Sequence, residues 1–438
     1  MNKKRSYQGN PQKNSPALGA TLAFLGINGI LALLHGSQGC STWIRLQLSR
    51  HFKEPIPLNS TALLEDTAIF GGWEHLKKGI AKAADKYNPQ IIGVMSSGLT
   101  ETFGDDMASA LESLRQERPD LRELPVVLAS TPDYIGSMQE GYQRTVLALI
   151  STLISSDSFS LTRSFSAFES DTIAQEIPVI AVFPGCHLSP ADVDELKDII
   201  KLFGFRPITV PDLSTSLDGH AELEPAPVVQ GGTDLREISY LPRSVATFSL
   251  GLSMKKAGEL LNSKYNIPHF HFSSATGLAA TDSLILTLAK LSKKEIPSKL
   301  LRQRSQLLDT LADYHDQLGG KRVALALETD LLYSLATSFE EVGAQISLAL
   351  AASQGEIKCF PDTIPVEVGD LEELEARASG SHLIIANSNG RQAASPLKLP
   401  HLRAGLPVFD QAGYPQKVWV GYRGTQQFFF DALNTMVS

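Results

Sequence analysis

The sequence has little cysteine and no excess of positive charge, and each shortage excludes a class of protein. Three of the 438 residues are cysteine, which excludes a disulfide framework and favours a reducing compartment. The formal charge of -8 argues against a nucleic-acid partner, because phosphate backbones are held mainly by clustered lysine and arginine. With 43% hydrophobic and 20% charged residues, the composition is that of a soluble globular protein, neither disordered nor a multi-span membrane chain.

The sequence also lacks the motifs of common catalytic sites. It contains no GxGxxG turn, no glycine–lysine phosphate loop, no GxSxG nucleophile elbow and no HExxH helix. An iron–sulfur cluster normally takes four thiolates, and this chain has no CxxC pair. We therefore expect no autonomous catalytic site, and any cluster would need ligands from a second polypeptide.

The N-terminus allows two interpretations. Basic Met1–Arg5, apolar Ala17–Leu34 and the following Cys40 fit a secreted lipoprotein with Rossmann-like lobes. However, a polar tract separates charge from apolar core, glycines and Asn28 interrupt that core, and it is barely long enough to span a bilayer. We interpret the stretch as a buried helix and strand of a cytoplasmic protein without a membrane partner.

From residue 91 onward, short apolar runs alternate with longer amphipathic stretches, which is typical of βαβ units. The predicted strands are Ile91–Met95, Val126–Ala129, Val179–Phe183, Ile208–Val210, Ala246–Leu250, His269–Phe272, Val323–Leu327, Gln345–Leu350, Leu383–Ala386 and Pro407–Phe409. The predicted helices are Asp106–Gln116, Met138–Ile154, Ala191–Phe203, Thr233–Tyr240, Met254–Lys264, Thr281–Leu291, Leu300–Leu318 and Asp330–Val342. The predicted class is α/β, with parallel sheets flanked by helices.

A chain of 438 residues has room for roughly three domains. The Ser-rich tract Ser155–Ser170 and the segment Lys294–Lys299 are the predicted boundaries. They divide the chain into three Rossmann-like domains over residues 1–170, 171–296 and 297–438. Ligands of such sheets bind at the carboxyl ends of the strands, so function is expected in the loops that start at Ser96, Pro184, Ser273 and Asn387.

The segment Gly36-Ser-Gln-Gly-Cys40 is the most distinctive local pattern, because a cysteine follows two glycines just before a potential helix at Thr42–His51. Backbone N–H groups of such a turn would stabilise a thiolate, the form that binds metal or attacks an electrophile. A buried, inert cysteine on a tight turn is an equally good interpretation of the pattern. Cys186 and Cys359 have no ligand-like spacing and are interpreted as structural.

Three further patterns are weaker. Gly98–Asp106 lies between a strand and a helix and is expected to cap the helix through Asp105 and Asp106, anion binding being the alternative. Gly231-Gly232-Thr233 is a glycine turn before a helix. His269 and His271 share one face of a strand but lack a third ligand, so a structural role is favoured over metal binding.

Motifs along nearly the whole chain also match a known family in order. They are Leu34-His-Gly-Ser-Gln-Gly-Cys40, Arg50-His-Phe-Lys-Glu-Pro-Ile56, Gly71-Gly72, Ser97-Gly98-Leu-Thr-Glu101, Gly104-Asp-Asp106, Gly231-Gly232-Thr233, Thr276-Gly277 with Thr281-Asp282, Gly319-Gly-Lys-Arg322, Ile385-Ala-Asn-Ser388, Leu402-Arg-Ala-Gly-Leu-Pro-Val-Phe-Asp410 and Gly421-Tyr-Arg-Gly424. Through them the sequence resembles the β-type chains of the nitrogenase superfamily, and within it the branch that assembles the iron-molybdenum cofactor.

The resemblance also implies a role for Cys40. In the catalytic β subunit of that family, three cysteines help to hold the eight-iron P-cluster, and their positions are occupied here by Ser15, Cys40 and Gly98. Glycine offers no side-chain ligand and serine is a poor replacement for thiolate. The resemblance therefore implies a biosynthetic scaffold in which Cys40, beside Gly39, is the metal ligand that this chain contributes to a [4Fe-4S] cluster shared with its partner.

The resemblance also implies the partners. They are a NifE-like α subunit in an α2β2 heterotetramer, the nitrogenase iron protein NifH and a donor of the iron-molybdenum cofactor precursor, which the partner subunit mainly holds. The scaffold is expected to be non-catalytic. A divergent nitrogenase-like reductase β subunit is the alternative, and the loss of cysteine at positions 15 and 98 argues against it.

Overall fold

The fold is that of a computed structural model, which describes residues 13–63, 72–155, 177–219 and 226–437. Residues 1–5 of the considered secretion signal, residues 156–170 of the predicted boundary tract, and Gly71 lie outside the described residues.

The described strands form three sheets in which every pairing is parallel. The first sheet has the order β2-β1-β3-β4 and contains β1 (Ile30–His35), β2 (Leu58–Ser60), β3 (Ile91–Ser96) and β4 (Val126–Ala129). The second has the order β6-β5-β7-β8 and contains β5 (Val179–Pro184), β6 (Arg206–Thr209), β7 (Ala246–Leu250) and β8 (His269–Phe272). The third has the order β11-β10-β9-β12-β13 and contains β9 (Arg322–Leu327), β10 (Gln345–Ala351), β11 (Val366–Val368), β12 (Leu383–Ala386) and β13 (His401–Arg403). One sheet falls within each of the three predicted sequence ranges, and the domain boundaries themselves stay a prediction.

Helices connect and flank these strands. Those of the first half are α1 (Pro16–Leu25), α2 (Gln38–Phe52), α3 (Trp73–Tyr87), α4 (Gly98–Phe103), α5 (Met107–Glu117), α6 (Met138–Ser155) and α7 (Pro190–Leu202). Those of the second half are α8 (Leu235–Tyr240), α9 (Lys255–Tyr265), α10 (Leu278–Ser292), α11 (Ser298–Asp313), α12 (His315–Leu318), α13 (Thr329–Glu341), α14 (Leu371–Arg377), α15 (Arg391–Leu397) and α16 (Gly421–Val437). The predicted α/β class is confirmed.

Two element predictions are wrong. Pro407–Phe409 is irregular, and the strand at this edge of the third sheet is β13 instead. The backbone N–H groups of Val408 and Phe409 donate to the side chains of His51 and Ser388, so they do not pair with a strand. The single helix predicted over Leu300–Leu318 is divided into α11 and α12 at Tyr314, whose φ of -108° leaves the helical range.

The apolar N-terminal stretch forms the expected buried helix and strand. Every residue of α1 is buried, as is typical of a helix that lies inside a protein core. Its backbone approaches that of α6 closely because Gly19 and Gly141 carry no side chain, and a Cβ at either would overlap the other helix. Among the described residues, no helix has the length and hydropathy needed to cross a membrane.

Two of the apolar cores span neighbouring sheets, while the first and third sheets each have a further core of their own. One apolar core joins side chains of the first and second sheets, and another joins the second and third. The strand order of each sheet reverses at one point: between β1 and β3, between β5 and β7, and between β9 and β12. Loops at such points form the ligand sites of parallel sheets, so these three places position the candidate sites.

Candidate functional site

Cys40 lies in the first turn of α2, immediately after the carboxyl end of β1. Ser37 caps this helix, with φ of -74° and ψ of 158°, and the thiol of Cys40 is exposed. The helix is longer than the sequence predicted, because it begins at Gln38 and so includes Gly39 and Cys40. Of the two open interpretations of Cys40, the structure therefore excludes the buried one.

The Ser37 hydroxyl makes two contacts with Cys40. Its oxygen accepts a hydrogen bond from the Cys40 N–H at 3.5 Å, and its hydrogen is directed to the Cys40 sulfur at 3.3 Å. The next two hydroxyls of the helix, those of Ser41 and Thr42, donate to the Gln38 carbonyl at 2.9 Å. Ser37 is thus placed to polarise the thiol, while Ser41 and Thr42 are engaged with the backbone.

Glycine at position 36 lets the loops after β1 and β3 approach each other. A Cβ at Gly36 would lie 2.9 Å from both Cβ and Oγ of Ser97. The Thr100 hydroxyl lies 3.3 Å from the His35 carbonyl, which joins the two loops. By contrast, the one described atom that a Cβ at Gly39 would meet is Ser37 Oγ, at 3.9 Å, so the described residues leave the space beside Gly39 open.

A buried histidine lies beneath this loop pair. His35 Nδ1 is 3.1 Å from the Thr61 hydroxyl, and its Nε2 is 3.3 Å from Asp105 Oδ2. Burial lowers the pKa of His35, although Asp105 opposes this effect. Asp105 also accepts from the Gly72 N–H at 3.0 Å, so it does not cap a helix as predicted; Asp106 alone caps α5. His35 was not among the site residues predicted from the sequence, where its only signal is its place directly before Gly36.

Large apolar side chains are exposed at the same edge of the first sheet as Cys40. They come from α2, from α4 and from the loop after β4, three segments that follow adjacent strands of the first sheet. We call them the cysteine rim: Trp43, Leu46, Leu99, Phe103, Tyr134 and Ile135, each between 42% and 62% exposed. An exposed apolar group of this size is typical of a surface that contacts another protein.

The other two positions at which a cluster cysteine would be expected have different roles. Ser15 caps α1, and its side chain accepts from the Leu18 N–H at 3.2 Å. The N–H of Gly98 donates to Asp133 Oδ2 at 3.3 Å, and a Cβ there would lie 2.9 Å from the same oxygen. Cys186 is buried beside the second sheet and Cys359 lies near the third, so neither belongs to this site.

A second polar cluster lies where the second and third sheets meet α6. We call it the interdomain junction: Ser137, Glu140, His187, Ser253, Glu328, Asp330 and Ser353. The Ser137 hydroxyl lies 2.5 Å from Glu328 Oε2 and 2.7 Å from Glu140 Oε2. Asp330 accepts from the Ser253 N–H at 3.0 Å and from its hydroxyl at 2.6 Å. Hydrogen bonds therefore connect all three domain ranges here.

Burial controls protonation in the junction. It raises the pKa of Glu328 to about 8 and that of Asp330 to about 7, partly offset by the bonds from Ser137 and Ser253. Burial also disfavours ionisation of Glu140, but the Ser353 and Ser137 hydroxyls outweigh it and lower its pKa. Ser137 has one hydrogen for two carboxyl groups, so a proton on Glu328 allows both short contacts to be hydrogen bonds.

A small cavity of about 50 Å³ adjoins the junction and is lined by Cys186, His187 and Glu328 among others. Burial raises the pKa of the Cys186 thiol and lowers that of His187 to about 3, so both are neutral at pH 7. His187 Nδ1 and Glu328 Oε1 are buried, and neither has a hydrogen-bond partner among the described residues. Within the described ranges, no three side chains converge as the ligands of a metal ion.

The remaining candidates make hydrogen bonds within the fold. His269 Nε2 and His271 Nδ1 share the Ser249 hydroxyl, at 2.8 and 3.0 Å, with no third metal ligand among the described residues. Thr233 lies before α8, and its hydroxyl donates to the Gly26 carbonyl at 3.2 Å. Of the predicted site residues, the structure therefore brings together Gly39 and Cys40, and they lie at an exposed surface.

Comparison with known proteins agrees with this architecture. The family model for nitrogenase component 1 type oxidoreductases matches residues 15–437. The chain is 41% identical to the nitrogenase iron-molybdenum cofactor biosynthesis protein NifN of Rippkaea orientalis (strain PCC 8801 / RF-1), with 100% of this chain and 96% of that protein covered. It is 39% identical to the NifN protein of Bradyrhizobium diazoefficiens, with 98% and 89% covered. A solved structure of nitrogenase Cp1 at pH 6.5 superimposes with a TM-score of 0.88 at 28% identity, covering 100% of this chain and 95% of that one. The chain belongs to the nitrogenase component 1 type oxidoreductase family.

Proposed function

We propose that this chain is a scaffold subunit for assembly of the nitrogenase iron-molybdenum cofactor and that Cys40 is its one ligand to a [4Fe-4S] cluster shared with a NifE-like α subunit. Relatives aligned over nearly the whole chain are named as biosynthesis proteins of that cofactor. The observation that carries the proposal is an exposed thiol at a helix start, at the same edge of the first sheet as the cysteine rim.

The side chains present at this site can supply one of the four ligands of a shared cluster. Cys40 supplies one thiolate, and a [4Fe-4S] cluster takes four. Ser15 and Gly98 add none, since Ser15 is a helix cap and Asp133 occupies the space that a side chain at position 98 would need. The remaining ligands must therefore come from the partner, and the open space beside Gly39 leaves room for a bulky group at the surface. When bound, such a cluster supplies one-electron exchange.

The cysteine rim supports pairing with a second subunit. Burying these apolar side chains against a partner would stabilise the complex by about 25 cal/mol for each Å² of apolar surface removed from water. The same contact would exclude water from the Cys40 sulfur, which is otherwise exposed. Pairing and cluster binding are therefore expected to stabilise each other, in an α2β2 heterotetramer like that of the nitrogenase family.

The further roles follow the family resemblance. The NifE-like subunit would hold most of the cofactor precursor, and NifH would dock on the complex to deliver molybdenum and homocitrate. The scaffold would be non-catalytic and cytoplasmic. A cluster at the subunit interface would lie between docked NifH and the precursor, a position suited to electron transfer.

The test is co-expression with a NifE-like α subunit, followed by metal analysis of the purified complex. Cys40→Ala should lower the iron content by about four atoms per αβ pair, since a [4Fe-4S] cluster without this ligand is not retained. Cluster absorption should fall in parallel. Unchanged iron and absorption would contradict the ligand assignment.

The matched controls are Cys186→Ser and Cys359→Ser. Cys186 is buried and Cys359 is exposed beside the third sheet, so both variants should keep full iron. A loss of iron in either would mean that the ligand set is wrong. Substrate reduction by the wild-type complex at nitrogenase-like rates would instead support a reductase and overturn the scaffold role.

A further inference from the structure

We infer that the Ser37 hydroxyl tunes the reduction potential of the cluster bound at Cys40, by donating a hydrogen bond to the Cys40 sulfur. This inference rests on the proposed function, because it assumes that Cys40 binds a cluster. Ser37 would be a positioning residue that acts through the thiolate without touching iron.

The geometry carries the inference. Ser37 Oγ lies 3.3 Å from Cys40 Sγ, within hydrogen-bond distance of sulfur. The same oxygen accepts from the Cys40 N–H at 3.5 Å, so the backbone of the helix start holds the hydroxyl in place. The oxygen therefore acts as acceptor toward the backbone, and the single hydroxyl hydrogen is left for the sulfur.

Competing donors nearby are already engaged. The Ser41 and Thr42 hydroxyls both donate to the Gln38 carbonyl. His35 is buried beneath the loop, where its nitrogens contact Thr61 and Asp105. Among the hydrogen bonds of the described residues, the Ser37 contact is the one made to the Cys40 sulfur.

The consequence for the cluster follows from charge. One-electron reduction adds negative charge that is shared with the ligating sulfurs, so a hydrogen bond to sulfur stabilises the reduced state more than the oxidised state. The Ser37 hydroxyl should therefore raise the potential of the cluster. Removing it should make the cluster harder to reduce.

The primary variant is Ser37→Gly in the co-expressed complex, because glycine at a helix cap costs only a few tenths of a kcal/mol. In a dithionite redox titration followed by electron paramagnetic resonance, the ratio of reduced to oxidised cluster at the wild-type midpoint should fall about tenfold, which is about 59 mV for one electron. Iron content should not change. Ser37→Thr, which keeps the hydroxyl, should restore the wild-type value to within about twofold.

The matched control is Thr42→Val. It removes a hydroxyl that lies on the same helix turn but bonds to the Gln38 carbonyl, so the potential should stay unchanged. A full complement of iron together with an unchanged potential in Ser37→Gly would overturn the inference and leave the proposed function standing. Absence of iron from the wild-type complex would instead overturn the proposed function.

A second variant and measurement test the inference if Ser37→Gly fails to retain the cluster. Ser37→Asp keeps an oxygen that caps the helix but has no hydrogen to donate at pH 7. Electron–nuclear double resonance after exchange into D2O should detect an exchangeable hydrogen near the cluster in the wild type and in Ser37→Thr, and lose it in Ser37→Asp. Equal signals in wild type and Ser37→Asp would overturn the inference.

Discussion

The cysteine rim and the interdomain junction occupy the same kind of place in the fold but have opposite surroundings. Both follow the carboxyl ends of parallel strands at points where strand order reverses. At the rim, Cys40 and large apolar side chains are exposed. At the junction, Glu328 and Asp330 are buried and hydrogen-bonded to segments from other parts of the chain.

The difference suggests that the same kind of strand end serves folding at the junction and association at the rim. Buried carboxyls at the junction are tolerated because hydroxyls and protons satisfy them, and they hold the three sheets together. The rim leaves apolar area and a thiol exposed, and a partner that covered the rim would remove this apolar area from water. Changes at the junction should therefore alter folding, and changes at the rim should alter association.

The largest effect is expected from Asp330→Ala. This variant would leave the buried Ser253 N–H and hydroxyl without their acceptor, and it should lower the free energy of unfolding by about 3 kcal/mol. Urea denaturation of the purified chain measures this loss. Asp309→Ala, at an exposed position on α11, is the control and should change stability by less than about 0.5 kcal/mol. A stability loss no larger than that of the control would show that the junction does not hold the sheets.

Next in size is Phe103→Asp at the rim. A charge at this exposed position should not affect folding, but burying it against a partner is costly, so affinity for the NifE-like subunit should fall about 30-fold, or about 2 kcal/mol. Titration of labelled subunits measures the affinity, and the thermal midpoint of the chain checks the fold. Leu286→Asp is the control: Leu286 is 59% exposed on α10, outside the rim. Equal effects of the two variants would contradict the assignment of the rim as the interface.

The stability contributed by the buried carboxyls of the junction should depend on pH, which distinguishes the junction from the rim. Burial raises the pKa of Glu328 to about 8, above the roughly 4.3 of an unfolded chain. Between these two pKa values the folded state binds a proton that the unfolded state has lost, so the wild type loses stability as the pH rises from about 4.3 to about 8. Glu328→Gln is neutral at every pH, so its stability relative to wild type should rise by about 1.5 kcal/mol between pH 6.5 and 8.

The pH comparison is made by urea denaturation at both values. Asp330, whose pKa burial raises to about 7, and Cys186 are present in both proteins, so the difference reports the charge of Glu328 together with its coupling to these two groups. A parallel pH dependence of wild type and variant would mean that Glu328 is ionised in the folded chain.

The sequence allowed the strand cores and the position of Cys40 to be predicted, because buried parallel strands are continuous apolar runs and the Gly36–Cys40 turn is distinctive. It did not predict α16, whose first turn contains Gly421 and Gly424. Gly421 has φ of +71°, which favours glycine at the start of the helix, and a Cβ at Gly424 would lie 2.7 Å from the Trp419 backbone, so only the second glycine is required by packing. The junction was also missed, because its polar residues are far apart in sequence and meet only through tertiary packing.

The smallest expected effect concerns Ser15, a position where the catalytic members of the family carry a cluster cysteine. If Ser15 acts only as a helix cap, Ser15→Ala should cost about 1 kcal/mol of stability and leave the iron content of the complex unchanged. Ser15→Thr keeps the capping hydroxyl and should recover most of that stability. This is the reverse of Cys40→Ala, which should lose iron with little change in folding. A loss of iron in Ser15→Ala would place Ser15 among the cluster ligands. It would contradict the interpretation that Cys40 is the one ligand from this chain and that Ser15 has only a structural role.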